Sequence, residues 1–529
     1  MCIRDSVGIA AFLMQLNGQT TLVALVEARA RATPEAVLLV DDAGRRMTCG
    51  ELSRESERVA VHLSRMGVGA GSVVSWILPT GIDAVVVMVA LSRLGTIQNP
   101  IIPMYGAREV GHIVREASVD AIIQSGSHKG TDYRRLAEAA ASECERRPRV
   151  LDIDDVVRGT TSHDGGARGD VPLHRHLRGA SWIFYTSGST SLPKGVLHND
   201  ATLLAVSGGM VERLQMTERD RNGVAFPIAH IGGPINLMAS LICGAALILI
   251  EAFDPVASSE TLRREGVTMA GSGTAFHLAY LDAQRARPDE RLFPHLRCCP
   301  GGGAPKPPGL HVRVKAELGG SGIVSGWGLT EAPVLTMGSP TDPDAKLSES
   351  EGRPLRGVQV KVVDLAGGEA PSGHSGELRA HAPQLMLGYV DASLDASAFD
   401  DDGYLRTGDI GLVDGDGYVR ITGRLKDVVI RKGENIGTAE VEDVLRGHPL
   451  VLDAAVIGLA DERSGERVCA ILETTGEGSR LDVRKVGEYL AQRGLRRIAW
   501  PEQVEVVTSL PRTVAGKIDK AKLIAEFSE

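Results

Sequence analysis

The chain has 529 residues but no cysteine placed to bind a metal or to staple a small fold. Its seven cysteines (Cys2, Cys49, Cys144, Cys243, Cys298, Cys299 and Cys469) are scattered, odd in number and without paired spacing. That pattern argues for a reducing, cytoplasmic setting and against a structural zinc site. Long apolar runs are also missing. The longest, Met238 to Ile250, spans about 13 residues and includes Ser240, well short of the roughly 20 that a membrane helix needs. The N-terminal stretch has one arginine, one aspartate, a short apolar patch and no small-residue cleavage site, so a signal peptide is not expected. Its first six residues fit no periodic pattern and are doubtful as a natural start. Positive charge is not in excess: a net charge of −9 and a pI near 5.9 argue against a nucleic-acid or membrane-surface role. Lysine is scarce within the basic set and occurs only at 129, 194, 306, 315, 346, 361, 426, 432, 485, 517, 520 and 522.

What is present points to a multidomain α/β protein. A chain this long exceeds one core, and an apolar fraction of 43% supports several. Leu22 to Arg31 and Glu51 to Met66 read as amphipathic helices, the second with Thr48 at a cap position. Val73 to Leu78 and Ala121 to Gln124 read as buried strands, with a helix over Asp83 to Leu94. This alternation predicts doubly wound, largely parallel sheets. Between Gly352 and Val419 short alternating runs separated by Gly, Asp and Pro turns predict a small β-barrel or sandwich. A small α+β unit follows from about Arg424, with a helix near Ala439 to Arg446 and strands near Ala454 to Gly458 and Glu502 to Val507. No internal repeat is visible.

The sharpest local signal is Thr186 to Val196, TSGSTSLPKGV, directly after the apolar segment Ser181-Trp-Ile-Phe-Tyr185. A buried strand breaking into glycine, hydroxyl residues and Lys194 suits phosphate, because bare backbone N–H groups and hydroxyls can all donate to it. It lacks the Gly-Lys-Ser/Thr helix opening of a Walker loop. Further glycine motifs follow. Cys299-Pro-Gly-Gly-Gly-Ala-Pro305 offers bare backbone to a planar base through Gly302 and Gly303. Gly326-Trp-Gly-Leu-Thr-Glu331 gathers an aromatic, a hydroxyl and a carboxylate, and Glu331 suits a magnesium ion shared with a triphosphate. Tyr404-Leu-Arg-Thr-Gly-Asp409 sets a carboxylate after a tight turn, as a ribose diol would require. Gly423-Arg-Leu-Lys-Asp427 is a charged joint at the domain boundary, and Leu510 to Lys517 presents one lysine on a loop. Each has a plainer reading in a chain with 62 glycines: a surface turn, an exposed acid at 331, a turn-forming Asp409, a solvated Lys517. That Lys194, Lys426, Lys432 and Lys517 all fall in these loops favours the functional reading, since arginine does not replace lysine where a compact charge must reach a reacting oxygen.

In their order and spacing, from about Thr20 to Phe527, these motifs resemble the adenylate-forming superfamily of acyl-CoA synthetases, firefly-type luciferases and peptide-synthetase adenylation domains. The resemblance implies a large N-terminal domain, residues 20–425, of doubly wound α/β subdomains plus a small β-barrel. A small mobile α+β domain, residues 426–529, would follow and carry the catalytic Lys517. It implies that Thr186, Ser187, Gly188, Ser189, Thr190 and Lys194 bind the β- and γ-phosphates, with Thr190 and Glu331 at the metal. Gly302, Gly303, Ala304, Gly326, Trp327 and Gly328 would surround adenine, Trp327 standing where the family places a stacking aromatic. Thr330 would meet phosphate, Asp409 and Arg424 the ribose, Lys426 the hinge. Lys432, Gly433 and Glu434 would line the pantetheine tunnel. Two positions depart from the family pattern: Ser191 replaces a loop glycine, and Ala382 replaces a turn glycine in His381-Ala-Pro383.

The implied reaction uses ATP, Mg²⁺, a small carboxylic acid and coenzyme A, through an acyl-adenylate. For the acid pocket, Phe226-Pro-Ile-Ala-His-Ile-Gly-Gly233 matches the family's pocket mouth, with His230 either closing one wall or capping the next helix. Ile231, Met238, Ser272, Thr274 and Val334 are the candidate walls, mostly apolar, which suits an uncharged tail. The segment Gln98 to Tyr105 with Arg108-Glu-Val110 resembles ligases for medium-chain, alicyclic or steroid-derived acids. The rival readings are an acyl-AMP ligase delivering to a carrier protein in trans and a non-catalytic nucleotide-binding module.

Overall fold

The computed structural model describes residues 21–159, 177–186, 192–303, 306–307, 309–364, 367–431, 434–461, 464–474, 480–513 and 517–528, with backbone alone at 430, 434, 435 and 465. Two sheets dominate the N-terminal part. The first runs Met269–Ala270, Arg221–Val224, Ala246–Leu249, Val37–Asp41, Arg46–Thr48, parallel except for the last. The second runs Gly388–Tyr389, Gly195–His198, Trp182–Tyr185, Ile97–Pro100, Val73–Ile77, Ala121–Gln124, Arg149–Asp152. It is parallel from Trp182–Tyr185 onward and antiparallel at its first two strands.

The helices form because their apolar positions face these sheets. One continuous core joins Leu39 and Leu247 of the first sheet to Trp76 and Trp182 of the second through buried faces of helices Leu22–Ala32, Cys49–Arg65, Ile82–Arg93, Asp200–Leu214 and Gly232–Cys243. The cap at Thr48 is a full capping box: Glu51 N–H donates to the Thr48 hydroxyl at 3.2 Å, and Thr48 N–H to Glu51 Oε2 at 2.7 Å. The long apolar run at 238–250 divides into the end of a helix and the strand Ala246–Leu249, since Gly244 at φ +86° ends the helix. Among the described residues no helix is long and apolar enough to cross a membrane.

The β-rich middle consists of two four-stranded sheets around a shared core. Cys299–Gly302, Ile323–Leu329, Ala332–Met337 and Arg353–Pro354 form one; Gln359–Val363, Gly376–His381, Leu405–Val413 and Val419–Arg424 form the other. Trp327, Leu335, Val362, Leu378 and Leu405 pack between them. Glu351 N–H to Val419 O (2.8 Å) and Val419 N–H to Gly352 O (2.9 Å) join their edges, so the expected barrel or sandwich is a sandwich tied at one side.

After Val419–Arg424, the short 3₁₀ turn Leu425–Asp427, which contains Lys426, leads into a second body. Its sheet orders Glu434–Gly437, Val428–Arg431, Gly465–Thr474 and Val451–Asp461, with Gln503–Val507 parallel to Gly465–Thr474. Helices Thr438–Arg446 and Val483–Gln492 contribute to one core and Lys520–Phe527 to another. The expected strand at 454–458 is half of a long hairpin, its partner strand unannounced by the sequence.

Candidate active site

The strand Trp182–Tyr185 does not simply end in a loop; the chain returns antiparallel as Gly195–His198, with Tyr185 opposite Gly195. The base of this hairpin is closed by Thr186 N–H to Lys194 O (3.1 Å) and Lys194 N–H to Thr186 Oγ1 (3.3 Å). The expected phosphate ligands Ser187, Gly188, Ser189 and Thr190, with Ser191, lie outside the described residues. The root of the loop is held from below by His112, whose Nε2 is 2.9 Å from Pro193 O.

Glu331 sits in the tight hairpin between Ile323–Leu329 and Ala332–Met337. The hairpin is pinned from the phosphate-loop side. His198 Nε2–H donates to Thr330 O at 2.8 Å, and burial pushes that imidazole down to a pKa of about 4, keeping it neutral. Met386 N–H donates to Glu331 O at 2.8 Å, and the Tyr389 hydroxyl donates to Glu331 Oε1, also at 2.8 Å. The Lys194 ammonium lies 5.7 Å from the centroid of the same Tyr389 ring.

The two glycine segments read as an adenine site lie side by side. Gly302 pairs with Gly326 in a parallel ladder, and a Cβ on Gly302 would fall 2.6 Å from Gly326 O. Gly328 is equally confined, since a Cβ there would fall 2.3 Å from Val334 N. Gly303, at φ +75°, faces open space; Ala304 is outside the described residues. Trp327 is 6% exposed and packs in the sandwich core. Its indole N–H donates to Asp409 Oδ2 at 2.8 Å, so part of the ring is committed to packing beyond any role toward adenine. Asp409, 4% exposed, also pairs through Oδ1 with Arg424 Nε at 2.9 Å. Each carboxylate oxygen keeps a further lone pair, so the ribose role is compatible with both contacts.

Lys517 comes from the C-terminal body, yet its ammonium feels the charges of Arg424, Asp409 and Lys426 and in turn acts on His230. Although open to the cleft, it is ringed by protein. That crowding, with Arg424, pushes its pKa down; Asp409 opposes the shift and Lys426 adds to it. His230 is likewise exposed in the cleft, and crowding plus the Lys517 ammonium lower its pKa. Gly232 N–H donates to His230 Nδ1 at 3.1 Å, at the start of helix Gly232–Cys243, and His230 also lines a narrow pocket. Pro100, Ile102, Tyr105, Phe184, Ile231 and Thr330 share that pocket.

Of the other expected wall residues, Met238 is fully buried in the main core and is not among the residues around this pocket. Val334 has φ +46°, costly for a β-branched residue, and packs against the same core. Ser272 and Thr274 flank Gly273, whose Cβ would lie 3.2 Å from Gly302 O, beside the glycine ladder. The hydroxyls of Ser272 and Tyr105 are buried without a partner among the described residues, so these parts of the site are less purely apolar than the sequence suggested. Lys432 and Gly433 lie outside the described residues, and Glu434 opens the strand Glu434–Gly437 at a hairpin tip.

The site residues that sequence reasoning missed are Tyr389, His198 and His112. No periodicity marks Gly388–Tyr389, a two-residue strand, and nothing in the sequence singles out either histidine. Among the described residues no three His, Cys, Asp or Glu side chains gather to hold a metal. Glu331 alone, with one oxygen taken by Tyr389, fits a magnesium ion whose other ligands are phosphate oxygens.

Residues 26–390 match the AMP-binding enzyme family, and residues 440–517 match the AMP-binding enzyme C-terminal domain. The chain is 28% identical over 520 residues to a medium-chain fatty-acid–CoA ligase of Escherichia coli, covering 97% of this chain and 91% of that protein. It is 32% identical to a methyl-dioxo-octahydroindenyl-propanoyl:CoA ligase of Mycobacterium tuberculosis, covering 96% and 99%. Among solved structures, o-succinylbenzoate coenzyme A synthetase of Bacillus subtilis in complex with ATP and magnesium ion superposes with a TM-score of 0.80 at 25% identity, covering 94% and 98%. The chain belongs to the AMP-binding enzyme family of the adenylate-forming superfamily and is an AMP-forming acid–thiol ligase.

Proposed function

We propose that the protein joins a carboxylic acid to coenzyme A in two steps at one site. The carboxylate oxygen attacks the α-phosphorus of ATP, the bond to the β-phosphate breaks, and pyrophosphate leaves. The thiolate of coenzyme A then attacks the acyl carbon, the bond to AMP breaks, and the thioester forms; the thiol proton goes to solvent. The observation that carries this reading is the set of Glu331, Tyr389 and Lys194 beside the Gly302–Gly326 ladder, whose neighbour Trp327 donates to the Asp409 that pairs with Arg424.

Anion attacking anion needs fixed positive charge where water is scarce, and Lys517 and Lys194 supply it. Asp409 and Arg424 hold the ribose, and the ladder of Gly302 and Gly326 with Gly303 and Gly328 lies against adenine. Glu331, with Thr190, holds magnesium, which when bound neutralises part of the triphosphate charge. Lys426 is the joint between residues 20–425 and 426–529, and Lys432, Gly433 and Glu434 line the thiol's approach in a second orientation of the C-terminal body. The acid is an apolar medium-chain, alicyclic or steroid-derived one, supported by Ile102, Phe184 and Ile231 around the pocket and by the two relatives' substrates. The working compartment is the cytoplasm.

The test is AMP release across a panel of acids, with and without coenzyme A, and with a phosphopantetheinylated carrier as the competing acceptor. Release that requires an apolar acid and coenzyme A supports the proposal. Preference for an amino acid or for the carrier contradicts it, and no ATP–pyrophosphate exchange with any acid removes the ligase reading.

A further inference from the structure

Tyr389 bonds to Glu331 and stands beside Lys194, two of the residues that would meet the triphosphate, and it does so from a strand that the motif pattern leaves unassigned. The strand Gly388–Tyr389 pairs antiparallel with the return strand of the phosphate loop, Val196 opposite Tyr389, so the ring is locked to the loop's own backbone. Its hydroxyl donates to Glu331 Oε1 at 2.8 Å, and its face lies 5.7 Å from the Lys194 ammonium. The side chain is 8% exposed and packs with Trp327, Met386 and Leu405 in the sandwich core.

We propose that Tyr389 is a positioning residue for magnesium–ATP: its hydroxyl fixes one oxygen of Glu331 so that the other faces the metal, and its ring sets the place of the Lys194 ammonium. The inference rests on the ligase reading above. It follows from geometry. A carboxylate at a hairpin tip rotates freely unless one oxygen is tied, and a hydrogen bond from a rigid, core-packed phenol ties it. The hydroxyl and the ring face are separable functions, since phenylalanine keeps the second and loses only the first.

The experiment measures ATP affinity by calorimetry on the intact protein, without divalent cation and with saturating Mg²⁺, for wild type, Tyr389→Phe, Glu331→Gln and the double variant. The expected result is that Tyr389→Phe binds metal-free ATP as wild type does but loses about tenfold of the affinity that Mg²⁺ adds, the scale of a hydrogen bond to a charged group. In the Glu331→Gln background the same change should have no effect, which is the mark of two groups acting as one. Equal loss of metal-free and Mg²⁺-dependent affinity, no loss at all, or an undiminished effect in the Glu331→Gln background would each overturn the proposal. If the wild-type protein fails to bind ATP under any condition, the ligase reading itself falls, an outcome distinct from all of these.

Discussion

Gly302 shows how single atoms shape the site. Its Cα stands in ladder register with Gly326, and one added carbon would press to 2.6 Å from the Gly326 carbonyl oxygen. Backbone does not yield as a flexible side chain does, so Gly302→Ala must spread the two strands that form the proposed adenine wall. We expect kcat/KM for ATP in pyrophosphate exchange to drop on the order of 10- to 100-fold, the usual result of displacing a binding surface by about an ångström. Because adenine is present in both steps, thioester formation from supplied acyl-AMP should fall as well; an unimpaired second step would contradict the assignment. His198 makes a second residue-scale prediction. Its buried imidazole is held to a pKa of about 4 against an ordinary 6.5. Below pH 6.5 the unfolded chain binds a proton there that the folded chain refuses, so stability falls with pH until about 4. Between pH 7 and pH 5 this costs about 2 kcal/mol, and urea unfolding of His198→Gln should lack that much of the wild-type pH dependence. Identical pH dependence in the two proteins would show that His198 stays uncharged for another reason, or does not stay uncharged.

Elements separate what the sequence reveals from what it hides. Cys49–Arg65 and Ile82–Arg93 were legible because caps and apolar spacing act within a few residues, and their ends fell within two residues of expectation. The glycine motifs were legible as chemistry because bare backbone, hydroxyls and one lysine in a short loop have few other uses. The return strand Gly195–His198 was not legible, because its partners are a strand before the loop and a two-residue strand nearly two hundred positions later. Tyr389 and His198 therefore read as nothing in particular until pairing put them beneath Glu331 and Thr330. The partial burial of Trp327 was hidden for the same reason: the sequence gives its aromatic character, and only the sandwich core shows that its N–H is used by Asp409. The pocket walls were the least legible, since Met238 lies on a helix apolar on all sides and nothing local says which face meets a ligand.

At the scale of the whole molecule, one short turn, Leu425–Asp427, separates two cores that share no apolar cluster among the described residues. Of the charges that act on Lys517, Asp409 attracts it while Arg424 and Lys426 repel it, so its place in the cleft is set by opposing charges. The central claim is that this orientation serves the first step and a rotated one, bringing Gly433 inward, serves the second. Lys517→Ala and Gly433→Leu should then fail in opposite ways. The deciding measurement is ATP–pyrophosphate exchange alongside thioester formation from synthetic acyl-AMP, on both variants. The account predicts that Lys517→Ala loses exchange yet still converts acyl-AMP, and that Gly433→Leu exchanges yet cannot pass the acyl group on. Equal loss of both activities in both variants would contradict it.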